Sequence, residues 1–419
     1  MTAREAAVRA LVAFSQGNTW SDLFLNSLLT KEGITGRDAA LASRICYGVL
    51  QNGTACQWYA EMFLDGTFDR LQPVVREILK SAVYQMVFMD KIPARAAVSE
   101  AVELTKNICN KGAASLVNAV LRKLSASLDK LPPLPDDDLT IKYSHSKEFI
   151  DYFIRKIGRE KTLKLLEADN SIPELTVRVN SLKPPIEIPN STPHPWLEGY
   201  VNLEGIGNVS ETEWYKNGYL TVQDAAAALP VIAAEPEPGI RLLDACAAPG
   251  GKTFLAAQLM QNKGYILACD IHQHKLKHII EGSQRLGIDI VEVKAMDAST
   301  FDENLHEAFD TVLADVPCSG LGVIRKKPEI RYKSFESISS IPKKQFNILD
   351  NLASYVKPGG LLIYSTCTLM EEENEGVTDR FLSKHSEFTR EAFTLPGPIG
   401  NVDSGHITIW PTDFGTDGF

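Results

Sequence analysis

The chain has 419 residues, of which 44% are hydrophobic and 23% are charged, a composition that excludes a disordered chain and indicates a soluble globular protein. Its length predicts two or three domains with sizeable cores. The formal net charge of −10 does not by itself indicate a nucleic-acid partner, and the local distribution of charge is more informative.

The cysteine pattern, together with a sequence that shows neither a signal peptide nor a membrane-spanning run, predicts a cytoplasmic protein. The seven cysteines form no CxxC pair and are odd in number, which argues against a disulfide framework and a zinc site, so we expect no metal. No apolar run is long enough to cross a bilayer. Residues 1–7 include an acidic side chain and indicate an amphipathic helix rather than a signal peptide.

Residues 1–128 predict a first, all-α domain. Apolar residues recur there at the spacing of a helix face, and such faces are buried in helical domains. The residues that carry this pattern are Ala7, Ala10, Leu11, Phe14, Val75, Ile78, Leu79, Ala82, Val83, Ala97, Ala101 and Leu104.

A proline- and aspartate-rich stretch at residues 131–138 is typical of a linker. Beyond it, residues 139–235 predict a small α+β domain. We expect helices at residues 147–157 and 159–168, because polar and apolar residues alternate there at helical spacing. The alternating residues 175–180 predict a strand, and the proline-rich residues 184–195 predict a loop.

Residues 236–419 predict an α/β domain with a Rossmann-like, doubly wound parallel sheet. Short apolar strands there alternate with helices, a pattern typical of a sheet that is covered on both faces. We expect helices at residues 252–261 and 274–286. The expected strands are residues 241–245, 265–269, 290–295, 311–314 and 361–365.

The most informative local segment is DACAAPGGKT at residues 244–253. It follows a predicted strand and opens a helix, and its paired glycines allow the backbone to approach a ligand closely. Free amides at a helix start favour a negatively charged group, so we expect a nucleotide-like cofactor, although a plain turn could have the same pattern. A P-loop requires glycine where this chain has Cys246, which argues against a nucleotide hydrolase.

Acidic residues end two further predicted strands. Asp270 occupies the place where an acid binds ribose hydroxyls in doubly wound folds, and Asp297 could hold an adenine amino group. Such residues are often only helix caps. Their recurrence at successive strands favours an adenosine-containing ligand.

Two cysteines follow strands of the same predicted sheet, Cys318 in DVPCSG at residues 315–320 and Cys367 in YSTCT at residues 364–368. A single cysteine at such a place is usually a small buried hydrophobe, but two at one sheet edge indicate chemistry. A thiolate that adds to carbon 6 of cytosine turns carbon 5 into a nucleophile for an electrophilic methyl group. An acid such as Asp315 could assist at the ring nitrogen.

A basic run at residues 325–327, followed by Arg331 and Lys333, interrupts this otherwise acidic part of the chain. A solvated loop and a phosphate contact explain such a run about equally well. The charge pattern alone does not decide between them.

Together, these motifs resemble the RNA cytosine-5 methyltransferases of the Nop2/Sun type, over nearly the whole chain. The resemblance implies S-adenosylmethionine as cofactor, Cys367 as the nucleophile, Cys318 as the residue that assists product release, and Asp270, Asp297 and Asp315 as cofactor or base contacts. It also implies a cofactor loop of Cys246, Ala247, Ala248, Pro249, Gly250, Gly251 and Lys252.

Residues 1–128 are similar to NusB-type RNA-binding domains, in particular at residues 71–76, 92–104 and 117–122. The pairing implies a class I methyltransferase that acts as a monomer on small-subunit ribosomal RNA, at the cytosine numbered 967 in the family. Transfer RNA as substrate and a non-catalytic RNA-binding protein are the alternatives. Relatives usually continue past an Asp-Gly-Phe with another strand, so we expect an unpaired strand edge at residues 406–410.

Overall fold

The structure is a computed structural model, and it describes residues 1–17 and 21–419. The chain divides into two compact units, one of residues 1–170 and 327–334 and the other of residues 171–326 and 335–419. No helix in the described ranges combines the length and the apolar character that a membrane crossing requires.

The first unit is helical, as predicted. The apolar residues that the sequence places on helix faces are buried in its core, apart from the half-buried Phe14. The α-helices in its described residues are α1 Ala3–Ser15, α2 Ser21–Lys31, α3 Gly36–Gln51, α4 Gly53–Glu61, α5 Pro73–Val87, α6 Ala94–Ile108, α7 Lys111–Ser125, α8 Leu139–Tyr143, α9 Lys147–Ile157 and α10 Arg159–Asp169.

Residues 139–170 pack with these helices, although the sequence assigns them to a second domain after the linker. The amide of Ala55 donates to Ser144 Oγ at 3.2 Å, and Gln51 Nε2 donates to the carbonyl of Asn170 at 2.6 Å. Helix α8 packs against α4. The second compact unit therefore begins at Ser171. The domain boundaries expected from the sequence at residues 128 and 139 stay a prediction.

Arg331 anchors the short segment 327–334 within the first unit. Its side chain is 1% exposed, so the guanidinium is out of water. It donates hydrogen bonds of 2.7 to 3.4 Å to the carbonyl oxygens of Gln51, Tyr143, Asp169 and Pro328 and to Oδ1 of Asn170. One cation thus satisfies several buried backbone acceptors.

Arg331→Ala should lower the free energy of unfolding of the first unit by about 3–5 kcal/mol, because it removes buried packing and leaves buried carbonyls without donors. Urea denaturation followed by circular dichroism measures the change. Arg159→Ala, at an exposed arginine of α10, is the matched control and should shift the midpoint little. Equal midpoints for both variants would contradict the anchoring role.

The second unit begins with a small antiparallel sheet in the order β2-β3-β1-β4. The predicted strand at 175–180 is confirmed, but the predicted loop at 184–195 contains the short strand β2. This strand lies at the sheet edge, where a proline lacking an amide hydrogen is tolerated. The elements are β1 Leu175–Val179, β2 Ser191–Pro193, β3 Tyr200–Leu203, α11 Glu213–Lys216, β4 Leu220–Val222 and α12 Leu229–Ala234.

The predicted doubly wound domain follows as a five-stranded parallel sheet in the order β7-β6-β5-β8-β9. The interior strands β5, β6 and β8 have buried apolar residues at their centres, as expected where helices cover both faces. The elements are β5 Arg241–Asp244, α13 Gly251–Leu259, β6 Tyr265–Asp270, α14 Gln273–Leu286, β7 Val291–Ala295, β8 Phe309–Asp315, α15 Phe335–Ile338, α16 Ile341–Ala353, β9 Val356–Ser365 and α17 Glu375–Lys384.

The prediction of a strand at residues 406–410 is wrong. This stretch adopts no regular secondary structure, and Ile409 exchanges two backbone hydrogen bonds with Phe419, of 2.8 and 3.0 Å. The neighbouring amide of Gly418 donates to the carbonyl of Gly322 at 2.7 Å, so the last residues are tied to the unit. The elements of this region are β10 Phe393–Leu395, β11 Gly400–Val402 and α18 Pro411–Phe414.

Candidate active site

The candidate site lies at the carboxyl edge of the parallel sheet, where ligands bind in doubly wound folds. Asp244, Asp270, Asp315 and Ser365 are the last residues of β5, β6, β8 and β9. Asp315 and Ser365 are direct partners in the register of β8 and β9. The strand order therefore brings acidic groups and both cysteine-bearing loops to one edge.

The loop between β5 and α13 has the geometry of a ligand cradle. Gly250 has a φ of +111°, and a Cβ there would lie 2.4 Å from the ring of Phe254, so only glycine fits. Its amide donates to the carbonyl of Ala247 at 2.7 Å, which closes a tight turn. Helix α13 starts at Gly251, and the amides of its first turn are available to a negatively charged group.

Two carboxylates beside this loop offer acceptors to a cofactor. Asp270 accepts from the amide of His272 at 2.8 Å through Oδ1, which leaves Oδ2 for a ligand hydroxyl. Asp244 is fully buried, and burial raises its pKa to about 6. Its Oδ2 accepts from Thr253 at 2.6 Å, while Oδ1 has no partner among the described residues. A cationic ligand group would satisfy that oxygen.

Asp297 lies exposed beyond β7, and its Oδ1 accepts from both the amide and the hydroxyl of Ser299, at 2.9 and 2.7 Å. These hydrogen bonds lower the pKa of Asp297. One carboxylate oxygen thus closes a local turn, as a cap does. A contact of the other oxygen to adenine stays a prediction.

Asp315 receives two hydrogen bonds that the sequence does not indicate. Lys252 Nζ lies 2.7 Å from its Oδ2, and Ser365 Oγ donates to its Oδ1 at 2.9 Å. The Lys252 ammonium also lies 4.8 Å from the ring centroid of Phe419. Lys252, predicted only as part of the cofactor loop, therefore forms an ion pair with Asp315.

Cys318 and Cys367, which the sequence places at one sheet edge, lie next to each other. The sulfur atoms of Cys318 and Cys367 are 3.3 Å apart, and both residues are partly exposed. The hydrogen bond to Cys367 raises the pKa of the Cys318 thiol well above its ordinary value, and burial raises it further. Cys318 therefore keeps its proton and can donate it to the sulfur of Cys367.

Other sequence candidates do not contribute a reactive group. Burial raises the pKa of the Cys246 thiol far above its ordinary value, so this cysteine is a neutral part of the loop. In the basic run, Lys326 Nζ lies 2.5 Å from Asp224 Oδ2 and Arg325 Nε lies 2.8 Å from Asp417 Oδ1. These two cations are neutralised inside the unit, which argues against the phosphate-contact interpretation.

Comparison with known proteins gives a coherent result along the chain. Residues 231–419 match the family model described as 16S rRNA methyltransferase RsmB/F, and residues 1–126 match the NusB family. A probable ribosomal RNA small subunit methyltransferase B of Bacillus subtilis is 35% identical, over 99% of this chain and 97% of the relative. A protein of the same description from Synechocystis is 31% identical, over 100% and 98%. The crystal structure of PH0851 superimposes with a TM-score of 0.81 at 26% identity, over 99% of this chain and 97% of that one.

Proposed function

Because this chain belongs to the RsmB/F family of small-subunit ribosomal RNA methyltransferases, we propose that it methylates carbon 5 of a cytosine in 16S ribosomal RNA through a cysteine adduct. The observation that carries the proposal is the pair of sulfur atoms 3.3 Å apart, in the loops that follow β8 and β9 at the sheet edge where β8 ends at Asp315. A binding protein has no use for two adjoining thiols at a ligand edge.

The adduct begins with Cys367. Its thiolate adds to carbon 6 of the base, and the electron pair of the carbon 5–carbon 6 double bond forms a double bond between carbon 4 and carbon 5. The pair of the former carbon 4–nitrogen 3 double bond passes to nitrogen 3, which takes up a proton. Asp315 faces the ring nitrogen, and the 2.7 Å contact with Lys252 lets a proton pass from the ammonium through the carboxylate to that nitrogen. Carbon 5 is then nucleophilic, and it would bond to the methyl carbon as the bond between that carbon and the sulfonium sulfur of the donor breaks, with the electron pair staying on that sulfur.

S-adenosylmethionine, when bound, supplies the electrophilic methyl group. The residues present fit it: the first turn of α13 would bind its carboxylate, Asp270 would accept from its ribose hydroxyls, and Oδ1 of Asp244 would accept from its ammonium. Asp297 is proposed to bind the adenine amino group.

Release needs a second sulfur. The carbon 5 proton is lost to a base, the bond between carbon 6 and the sulfur of Cys367 breaks, and that sulfur leaves with the electron pair. Cys318, which holds its proton, donates to the departing sulfur across the 3.3 Å contact, so elimination does not depend on solvent. The ring nitrogen returns its proton to Asp315 and Lys252.

The N-terminal helices are proposed to bind the RNA and to add affinity without chemistry. Residues 1–126 match the NusB family. Exposed Lys111 and Arg122 lie eleven residues apart on α7, which places them on the same helix face. The target base must leave its stack to reach the cysteines. We propose that the protein acts as a monomer, without a metal, in the cytoplasm, where ribosomal RNA is found.

Purified protein with S-adenosylmethionine should methylate a small-subunit ribosomal RNA transcript, and bisulfite sequencing should map one cytosine, expected to be position 967. In a separate binding titration at several salt concentrations, the double variant Lys111→Ala, Arg122→Ala should bind the RNA more weakly. The slope of its binding constant against salt concentration should fall by about one to two charges. Methylation of transfer RNA instead of ribosomal RNA would replace the proposed substrate and leave the proposed reaction in place. No transfer to any RNA would favour a binding protein and overturn the proposal.

A further inference from the structure

The loop of Cys318 is held on both sides by one buried acid. Glu373 is 1% exposed, and its Oε2 accepts from the amide of Ser319 and from Gln345 Nε2, each at 2.9 Å. Gln345 also donates to the carbonyl of Pro317 at 3.1 Å. The residues before and after Cys318 are therefore both tied, directly or through Gln345, to the carboxylate of Glu373.

The loop of Cys367 is held in the same way by the next residue along the chain. Asn374 Oδ1 accepts from Thr366 Oγ1 at 2.6 Å, and Asn374 Nδ2 donates to the carbonyl of Thr368 at 3.1 Å. Thr366 and Thr368 flank Cys367, so this single amide side chain binds the loop on each side of the nucleophile.

The two loops are also joined to each other. The hydroxyls of Ser319 and Thr368 are 2.7 Å apart, and Tyr364 donates its hydroxyl to the carbonyl of Glu373 at 2.6 Å. A shift of either side chain of the Glu373-Asn374 pair must therefore change the 3.3 Å approach of the two sulfur atoms.

Glu373 and Asn374 differ in charge. The Glu373 carboxylate adds to the rise in the pKa of the Cys318 thiol, behind the hydrogen bond to Cys367, burial and the charge of Cys367. Asn374 carries no charge and acts through geometry alone. Glu373 therefore influences both the position and the proton of Cys318.

We propose that Glu373 and Asn374 are positioning residues that divide the work of the two cysteines: Asn374 aligns Cys367 for attack, and Glu373 holds Cys318 in place for release. The inference rests on the proposed function, because it assigns each residue to one step of that reaction.

The first test uses Cys318→Ala, in which the RNA adduct should accumulate. Adding Asn374→Ala should slow adduct formation roughly tenfold, because a misplaced nucleophile loses near-attack geometry. Adding Glu373→Gln should slow adduct formation much less than Asn374→Ala does, because Glu373 contacts the Cys367 loop only through a long 3.5 Å hydrogen bond from Thr368 Oγ1. With Cys318 intact, Glu373→Gln should prolong the life of the adduct. Asn374→Asp, which keeps the acceptor for Thr366, should restore part of the rate.

The second test needs no RNA. Iodoacetamide labelling followed by peptide mass spectrometry gives the alkylation rate of each cysteine against pH. Removal of the negative charge in Glu373→Gln should lower the pKa of Cys318 and raise its alkylation rate at neutral pH about three- to tenfold. Glu372→Gln removes the same charge from the exposed neighbouring position and should leave the profile unchanged.

The two tests fail separately. If Cys318→Ala forms no adduct with any RNA, the proposed function is wrong, and the alkylation profiles still decide whether Glu373 controls Cys318. If the adduct forms but Asn374→Ala does not slow it, or if both glutamate variants give the same alkylation profile, the division of roles is overturned. Unfolding midpoints of all variants within a few degrees of the parent exclude general loss of structure as the cause.

Discussion

Cys367→Ala should abolish methyl transfer and the covalent RNA complex together, because without the thiolate carbon 5 of cytosine is never activated. The expected loss of turnover is at least about 10⁴-fold, comparable with removal of a nucleophile in other covalent enzymes. Incorporation of labelled methyl groups into RNA measures turnover, and a denaturing gel detects the adduct. Affinity for S-adenosylmethionine should stay unchanged, which separates loss of chemistry from loss of folding.

Cys318→Ala should give the opposite result on the same gel. Attack and methyl uptake use Cys367 and should proceed, but the departing sulfur loses the donor that lies 3.3 Å away. The protein should therefore accumulate as a covalent RNA complex, and the double variant should lose that band. Cys46→Ala, at a buried cysteine of α3, controls for cysteine removal in general. A stable adduct in Cys367→Ala and none in Cys318→Ala would exchange the two roles.

The fold could be predicted from sequence because its signals are periodic. Helical spacing identified the first unit, and alternating strands and helices identified the parallel sheet. The same topology explains why Cys318 and Cys367, 49 residues apart, meet: β8 and β9 are neighbouring parallel strands, so their following loops share an edge. Neighbouring strands place residues at one edge whatever the distance between them in sequence.

Charged side chains could not be placed in this way, because their partners depend on packing. Arg331 and Lys326 belong to one basic run, yet Arg331 is buried among carbonyls of the first unit and Lys326 pairs with Asp224. Glu373 lies in an acidic run that is typical of an exposed helix start, and burial of this one member is visible only in three dimensions. The contact between Lys252 and Asp315 likewise spans 63 residues.

Cofactor recognition should depend most on the acid at the end of β6. Asp270→Ala removes a charged acceptor from ribose hydroxyls, and a lost pair of such hydrogen bonds costs about 3 kcal/mol, or roughly a hundredfold in Kd. Asp297→Ala should cost about tenfold at most, because that carboxylate is exposed and already engaged by Ser299. Isothermal calorimetry with S-adenosylmethionine measures both, and the exposed Asp289→Ala is the control.

Asp270 also accepts from the amide of His272, so the alanine variant needs a check that does not involve the cofactor. Asp270→Asn keeps an oxygen for that amide while it removes the negative charge, and its melting temperature without ligand should match that of the parent. The rise in melting temperature on adding S-adenosylmethionine should shrink in both variants, because ligand stabilisation follows the ratio of ligand concentration to Kd. An undiminished rise, together with unchanged calorimetric affinity, would remove Asp270 from the cofactor site and leave the loop at Gly250 and Asp244 as its remaining support.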